Sequence, residues 1–412
     1  MSMLQYTNKS IRNILITGAT GVMGGRILLE ILTTTDANVY CLIRAENNQQ
    51  ARERLEGFLF TYDKEQQCRD SVQRIIPVLG DITETNLGLT EDIYSELTAN
   101  IDRVIHCAAL TNLVASYSRL AAVNVTGTQH VIEFCLRGDI PMLYTSSFSM
   151  VGDFLYRKGF VLHETDLDVG QRFDDMDYER TKFESEQVVH RAGERGLKWV
   201  IVRPGNIWGD STDGSYPLRN ARVKGIYYEM IRALVETGLT FSSTEDFDIS
   251  PVDYVAKASL YAICDIEKFN GTTLHLTTPN PLTFNGITSL LREFGYRIET
   301  IDNDTYMEAL AQSCLYLNGQ PYRSVFTDIL ALVHNSLEMS ESAKFATEIT
   351  ANLLSGSGIQ CPPSDKKLLF CYFNYLIESG FIPPPQQQGE KAEIRKLSAQ
   401  SGYMESLFDA DL

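Results

Sequence analysis

Tyr178 and Lys182 stand four residues apart in DYERTKFESE, so a helix there puts both on one face. A phenol beside an ammonium is a proton-handling pair. A free phenol ionises near about pH 10, and a neighbouring cation lowers that value. Such a phenol can stabilise or protonate an oxygen that gains negative charge, as a carbonyl oxygen does when hydride reaches its carbon. The run YTSSFSMVG supplies hydroxyls upstream of the pair. Ser147 is the choice for a second hydrogen bond to that oxygen, with Ser146 and Thr145 open as neighbours that could share the role. Serines closing a strand also form plain turns, and a Tyr/Lys pair also occurs on surfaces. The weight comes from the order in which these signals follow one another along the chain.

The first signal in that order is LITGATGVMGGRIL. An apolar run, Ile11 to Thr17, reads as a buried strand, and Arg26 to Leu32 reads as a helix. Gly18, Gly21 and Gly24 therefore fall on a strand-to-helix turn. Glycine allows a tight bend and a close approach of the backbone to another group. A helix N-terminus presents unpaired N–H groups and partial positive charge, which suits phosphate. The expectation is a dinucleotide on this turn, with Thr20, Val22 and Met23 as the intervening residues of the cradle. A tight turn without ligand is the plainer reading. VYCLIRA then ends the second strand with Arg44, where NAD-binding domains place an acid for the ribose 2′-hydroxyl. Arg54 follows on the next helix. Arginine pairs with phosphate by charge-assisted bonds, so NADP is favoured over NAD. As ordinary surface charges the two arginines would carry no such meaning. Asp81, in LGDIT, is placed to bond the adenine amino group.

These residues need a frame. Strands are expected at Asn13–Thr17, Asn38–Ile43, Ile75–Leu79, Arg103–Cys107, Met142–Thr145 and Trp199–Val202. Helices are expected at Gly24–Thr33, Glu46–Thr61, Ala121–Leu136 and Asp177–Ala192. Continuous apolar strands alternating with amphipathic helices predict an α/β fold: a doubly wound, Rossmann-type parallel sheet covered on both faces. After about residue 205 the rhythm breaks. WGDSTDGSYPL reads as a flexible loop, ARVKGIYYEMIRALVETG as a helix, and SPVDYVAKASLYAI as a helix on the sheet. Residues 1–280 are expected to form the NADP-binding domain, with 206–245 contributing to the substrate cleft. Residues 281–412 are expected to form a smaller, mostly helical substrate domain, with GFIPPPQQQG leading into a mobile tail.

The chain has 412 residues, is 44% apolar and carries a formal net charge of −17. That charge argues against a general nucleic-acid or anionic-membrane surface. No apolar run is long enough to span a membrane, and MSMLQYTNKS lacks an apolar signal core. The eight cysteines form no Cys-x-x-Cys pair and the six histidines show no ligand spacing. No metal site is expected, and a cytoplasmic setting is.

TGATGVMGG, HCAA at 106–109, NVTGT at 124–128, the Tyr178/Lys182 pair and VRPGNIWGD at 202–210 resemble an extended short-chain dehydrogenase/reductase. Within that superfamily the chain is similar to the thioester reductases, the terminal reductase domains of nonribosomal peptide and polyketide synthases and of carboxylic acid reductases. LIRA with Arg54, RPGNIWGDSTDG, SPVDYVAKA and GFIPPP carry this closer likeness, from about residue 11 to 385. The resemblance implies that Gly18, Gly21 and Gly24 cradle a pyrophosphate and that Arg44 and Arg54 hold a 2′-phosphate. It implies that Asp81 and Ile82 border adenine, that Ala108 and Ala109 line the cofactor path, and that Pro204 to Asn206 lie beside the nicotinamide. Ser147, Tyr178 and Lys182 would be catalytic, Lys182 also holding a ribose hydroxyl. Many relatives carry threonine where Ser147 stands; either hydroxyl can donate.

The implied reaction is NADPH-dependent release of an acyl or peptidyl thioester from a phosphopantetheine carrier protein, giving an aldehyde or, with a second hydride, an alcohol. The chain would be a monomer or one part of a multidomain synthase. Rivals are a fatty acyl-CoA reductase, an epimerase or reductase of free carbonyls on the same fold, and a non-catalytic NADP-sensing protein. The last has no need of the Ser/Tyr/Lys set. Arg219, Arg222 and Lys224 form a basic spot on an acidic chain, expected to dock the carrier domain that the resemblance implies to be acidic; a solvated helix face, or a hold on cofactor phosphates, is the plainer reading.

Overall fold

Seven strands form one parallel sheet: β1 (Asn13–Thr17), β2 (Asn38–Ile43), β3 (Ile75–Leu79), β4 (Arg103–His106), β5 (Met142–Thr145), β6 (Trp199–Pro204) and β7 (Thr272–Leu276). Their order in space is β7-β6-β5-β4-β1-β2-β3. The structure is a computed structural model that describes residues 11–112, 115–218, 225–306, 308 and 343–385. The chain starts mid-sheet, runs to one edge through β2 and β3, then returns to β4 and continues to the other edge. Ile14 is flanked by Val39 on one side and Arg103 on the other. The reversal between β1 and β4 opens a crevice at the carboxyl ends of these two strands, where doubly wound sheets take ligands.

Side chains alternate across each strand, which explains why the strands are apolar throughout. Ile14 and Ile16 join the core on one face, with α1 (Val22–Thr34), α2 (Asn48–Tyr62), α7 (Ile226–Thr237) and α8 (Val252–Cys264). Leu15 joins the core on the other face, with α3 (Glu91–Asn100), α5 (Gly127–Gly138) and α6 (Asp177–Glu194). α1 is buried from Val22 through Leu32, because α8 packs along its flank on the same face of the sheet.

The helix expected at Ala121–Leu136 is three pieces: α4 (Tyr117–Ala121), a π-helical turn at Ala122–Thr126, and α5. Such a turn re-aims side chains within a helix. β7 lies outside the expected strands and completes the sheet beside β6, with Thr272 opposite Val200. After α9 (Ile266–Phe269), helices α10 (Phe284–Phe294), α11 (Glu348–Leu354) and α12 (Lys366–Glu378) follow.

The segment 208–218, expected as a flexible loop, is instead buried and tied down. Its polar side chains serve its own backbone and its neighbours. Arg26 Nε donates to Asp210 Oδ2 at 2.8 Å, Ser211 Oγ to Asp253 Oδ2 at 2.9 Å, and Ser215 Oγ to Asp213 Oδ2 at 2.6 Å. On α12, Tyr372 donates to Gly209 O at 3.1 Å and Tyr375 to Tyr216 O at 2.6 Å. No helix among the described residues is long and apolar enough to cross a membrane. The tail expected beyond Pro385 lies outside the described residues.

Candidate functional site

The glycine turn joins β1 to α1 at the crevice. Gly18 has φ +75°, and a Cβ there would stand 2.6 Å from the Ala108 amide nitrogen. A Cβ on Gly24 would stand 2.1 Å from Gly18 O. Both positions therefore exclude any side chain. Gly21 caps α1 without a side-chain hydrogen bond, and no acid occupies the first turn of the helix. Val22 and Met23 are buried behind the turn and Thr20 is half-buried. The opening of α1 thus keeps its backbone donors and its positive end for an anion, and the cradle is one a Cβ would fill. These residues fit a dinucleotide pyrophosphate.

Arg44 lies just beyond β2, its side chain 50% exposed and 3.9 Å from Asp81 Oδ2. Arg54 on α2 donates to Arg44 O, so the two guanidinium-bearing residues meet at one spot. Asp81 Oδ1 is occupied by the Thr83 amide and hydroxyl at 2.8 and 2.9 Å. Ile82 is 7% exposed, its side chain turned into the core and its carbonyl held by His130 Nδ1 at 2.8 Å. Asp81 thus keeps one oxygen towards Arg44, while Ile82 can border a ligand only through its backbone.

Ala108 and Ala109 follow β4 across the crevice from Gly18. A buried chain fixes this segment: Thr17 Oγ1 lies 2.7 Å from His106 Nδ1, and His106 Nε2 lies 3.0 Å from Thr128 Oγ1. Thr128 donates its own proton to Asn124 O, so His106 carries its proton on Nε2. Burial pushes the imidazole down to about 3, and it stays neutral. Thr17 Oγ1 is then left to accept from the Ala108 amide at 3.2 Å.

Tyr178 and Lys182 share a face of α6, and Ser147 closes β5 opposite them. Of the three candidate hydroxyls, that of Ser147 is the one near enough to Tyr178 to act on its titration, in the lowering direction. Ser147 Oγ also lies 2.8 Å from Ser149 Oγ. Thr145 turns its hydroxyl to Cys107 Sγ at 3.3 Å, and the buried Ser146 hydroxyl has no partner among the described residues. Lys182 Nζ donates to Thr145 O at 2.9 Å and stands 6.0 Å from the Tyr178 ring centroid. The sequence reading expected the lysine to lower the phenol; the opposite holds. Burial pushes the Tyr178 phenol up, the neighbouring Glu179 adds to it, and the nearby Ser147 hydroxyl opposes. Lys182 itself is pushed down to about 8, chiefly by burial. Desolvation outweighs pairing because the ammonium is bonded to the Thr145 carbonyl rather than to the phenol. Tyr178 is therefore a neutral donor here.

Beneath this cluster Arg203 and Glu186 form a fully buried pair, Nη2 to Oε2 at 2.7 Å. Arg203 Nη1 lies 3.2 Å from His275 Nε2, whose other ring nitrogen donates to Ala346 O at 2.6 Å. The pair thus joins α6, β6, β7 and the segment before α11.

Beyond the hydroxyl cluster opens a cavity of about 460 Å³, with Phe148, Leu155, Ile226, Met230 and Phe345 among its apolar walls. Asn206 enters it just after β6 and the buried Pro204. Asn206 N–H donates to Asp248 Oδ1 at 2.9 Å, and Tyr227 donates to Asn206 Oδ1 at 2.6 Å. Burial pushes the Asp248 carboxyl up to about 7, against bonds from Ser250, Thr278 and Asn206.

Three residues went unforeseen. Asn124 bonds Leu110 N at 2.7 Å and Thr181 Oγ1 at 3.0 Å, joining the HCAA segment to the tyrosine helix. Its only signal was its place in NVTGT. Tyr227 and Asp248 meet Asn206 across long stretches of chain and had none. The basic spot of Arg219, Arg222 and Lys224 lies outside the described residues. Among the described residues no cluster of His, Cys, Asp or Glu could hold a metal.

The sheet order, the glycine turn and the Ser/Tyr/Lys cluster define an oxidoreductase domain of the short-chain reductase type that takes a nicotinamide dinucleotide. The chain belongs to the male sterility protein family of NAD-binding domains, whose model matches residues 16–259. It is similar to the crystal structure of the terminal R domain from the myxalamid PKS-NRPS pathway: TM-score 0.80, 28% identity, 91% of this chain and 93% of that one. A thiolation-reductase di-domain from an archaeal non-ribosomal peptide synthetase matches with TM-score 0.71 and 25% identity, over 90% of this chain and 76% of that one. The isonitrile lipopeptide synthase of Streptomyces coeruleorubidus is 27% identical over 396 residues, 92% of this chain and 25% of that protein. The chain spans less than a third of the length of the curated relatives it matches first.

Proposed function

We propose that this chain is a reductase that releases an acyl or peptidyl thioester from a phosphopantetheine carrier as an aldehyde. The observation that carries the reading is the meeting of Ser147, Tyr178 and Lys182 between the glycine turn and an apolar cavity. Gly18, Gly21 and Gly24 would hold the pyrophosphate of NADPH and Arg44 and Arg54 its 2′-phosphate, and the bound cofactor would supply the hydride. The acyl chain lies in the cavity, with the thioester carbonyl towards Tyr178 and Ser147. As negative charge develops on the carbonyl oxygen, Tyr178 Oη gives it a proton and Ser147 Oγ donates a second hydrogen bond. Lys182 keeps positive charge beside the developing phenolate. The resulting hemithioacetal breaks its C–S bond to leave thiol and aldehyde. The likeness to a thiolation-reductase di-domain supports a carrier-bound substrate.

The test is NADPH consumption with one acyl chain offered on a carrier protein, on coenzyme A and as the free acid. Turnover of the carrier-bound thioester is expected, with release of aldehyde and thiol. Tyr178→Phe should cut that turnover by about 10²–10⁴-fold, the share of a positioned proton donor, while leaving NADPH affinity nearly intact. Consumption with the free acid, or a Tyr178→Phe enzyme with near-normal turnover, sinks the reading.

A further inference from the structure

Ser147 carries one hydroxyl proton and two lone pairs, and its surroundings decide where the proton points. The Ser149 amide donates to Ser147 Oγ at 3.2 Å and takes one lone pair. Ser149 Oγ lies 2.8 Å from the same oxygen and makes no other hydrogen bond among the described residues. Two orientations remain for the pair of hydroxyls. If Ser147 donates to Ser149, the Ser149 proton is left without an acceptor at a residue only 8% exposed, which is costly. Ser147 then offers a lone pair to the carbonyl oxygen, which is itself an acceptor. If Ser149 donates to Ser147, both lone pairs of Ser147 are filled and its proton has one way to go, towards Tyr178 and the reacting oxygen. Ser147 acts on the Tyr178 phenol in the lowering direction, as a donor to the phenol oxygen does. The turn that carries Ser149 is fixed. Met150 and Val151 are fully buried beside it, and Phe148 meets Phe345 edge-on at 5.0 Å. Gly152, at φ +57°, lies so close to Arg172 that a Cβ would stand 2.4 Å from its carbonyl oxygen.

We propose that Ser149 is a positioning residue that donates to Ser147 and so holds it as a one-way donor to the carbonyl oxygen of the thioester. This rests on the thioester reductase reading and adds to it a residue that the Ser/Tyr/Lys set does not contain. A hydroxyl that accepts two hydrogen bonds is polarised by them and gives its own proton more strongly. The gain is largest when the carbonyl oxygen turns negative, so it belongs to the transition state and not to substrate binding.

The test is a double-mutant cycle on Ser147→Ala and Ser149→Ala, with NADPH consumption followed on one acyl-pantetheine thioester. Ser149→Ala keeps the backbone N–H and removes only the hydroxyl. With Ser147 in place it should lower kcat by about three- to tenfold, the value of one hydrogen bond, with KM for the thioester and for NADPH unchanged. In the Ser147→Ala background the same change should cost less than about twofold, because no proton is left to direct. An equal loss in both backgrounds makes Ser149 a support of the turn and overturns the inference. A loss confined to either KM overturns it too, as does a Ser149→Ala enzyme with wild-type kcat where Ser147→Ala is impaired. In each of these three cases the reductase reading stands. Wild-type turnover in Ser147→Ala takes Ser147 out of the mechanism and this inference with it, and the reductase reading then rests on Tyr178 and Lys182. No NADPH consumption by the wild-type protein overturns both readings together.

Discussion

Lys182 is 3% exposed and its pKa is pushed from 10.5 down to about 8. The unfolded chain keeps this proton up to about pH 10.5, but the folded chain only up to about 8. Between those values the unfolded state binds more protons, so stability rises with pH through this window. The gap, 10.5 − 8 = 2.5 units, converts at about 1.36 kcal/mol per unit to about 3 kcal/mol. That cost is borne in full below pH 8 and relieved by pH 10.5. Lys182→Met keeps a chain of similar reach and removes the charge. Urea denaturation of both proteins at pH 7, 9 and 10.5 reads the effect. The stability difference should move in favour of the variant by about 3 kcal/mol as pH falls from 10.5 to 7. The same variant should lose turnover, because the ammonium is missing from the site. A difference that stays flat across this range refutes the buried, desolvated ammonium and the chemistry built on it.

Arg44→Ala should weaken NADPH binding by about 10–150-fold and NADH binding far less, the value of one charge-assisted bond of roughly 1.5–3 kcal/mol. Equal losses in titrations with the two cofactors would remove Arg44 from the 2′-phosphate. Glu186→Gln should cost about 3–5 kcal/mol in a urea or thermal unfolding measurement, because the fully buried Arg203 guanidinium loses its countercharge. Glu186→Leu with Arg203→Met should recover most of that loss, and a silent Glu186→Gln would contradict the burial of the pair.

What could be seen in the sequence was local or periodic. Strands β1 to β6 announce themselves because both of their faces are covered, so every residue is free to be apolar. β7, TTLHL, hides because its polar residues are spent on neighbours: the His275 amide donates to Thr350 Oγ1 at 2.9 Å and its ring bonds Ala346 O. Segment 208–218 looked loose for the same reason, since Asp210, Ser211 and Asp213 are partnered only once the chain has folded. Gly18, Gly21 and Gly24 share one turn, and Tyr178 and Lys182 one helical face, so short spacing exposed them. Asn206, Tyr227 and Asp248 converge from separate elements, and no spacing rule joins them. The direction of the Tyr178 shift was hidden too, because it depends on burial and on where Lys182 Nζ is bonded.

The position of α1 beside α8 on one face of the sheet has a consequence for synthesis. The ribosome delivers α1 first, together with the glycine turn at its head. Its covering helix, Val252–Cys264, emerges more than two hundred residues later, and Asp210, the distant partner of Arg26, only shortly before. A nascent chain that ends near β6 already contains six strands, yet it shows water the flank of α1 that α8 will cover and an Arg26–Glu30 pair destined for burial. Such a chain is a sticky intermediate and a natural client for a holding chaperone. The phosphate cradle would settle only when α8 arrives, so truncations before residue 264 should yield aggregating protein rather than a small cofactor-binding domain.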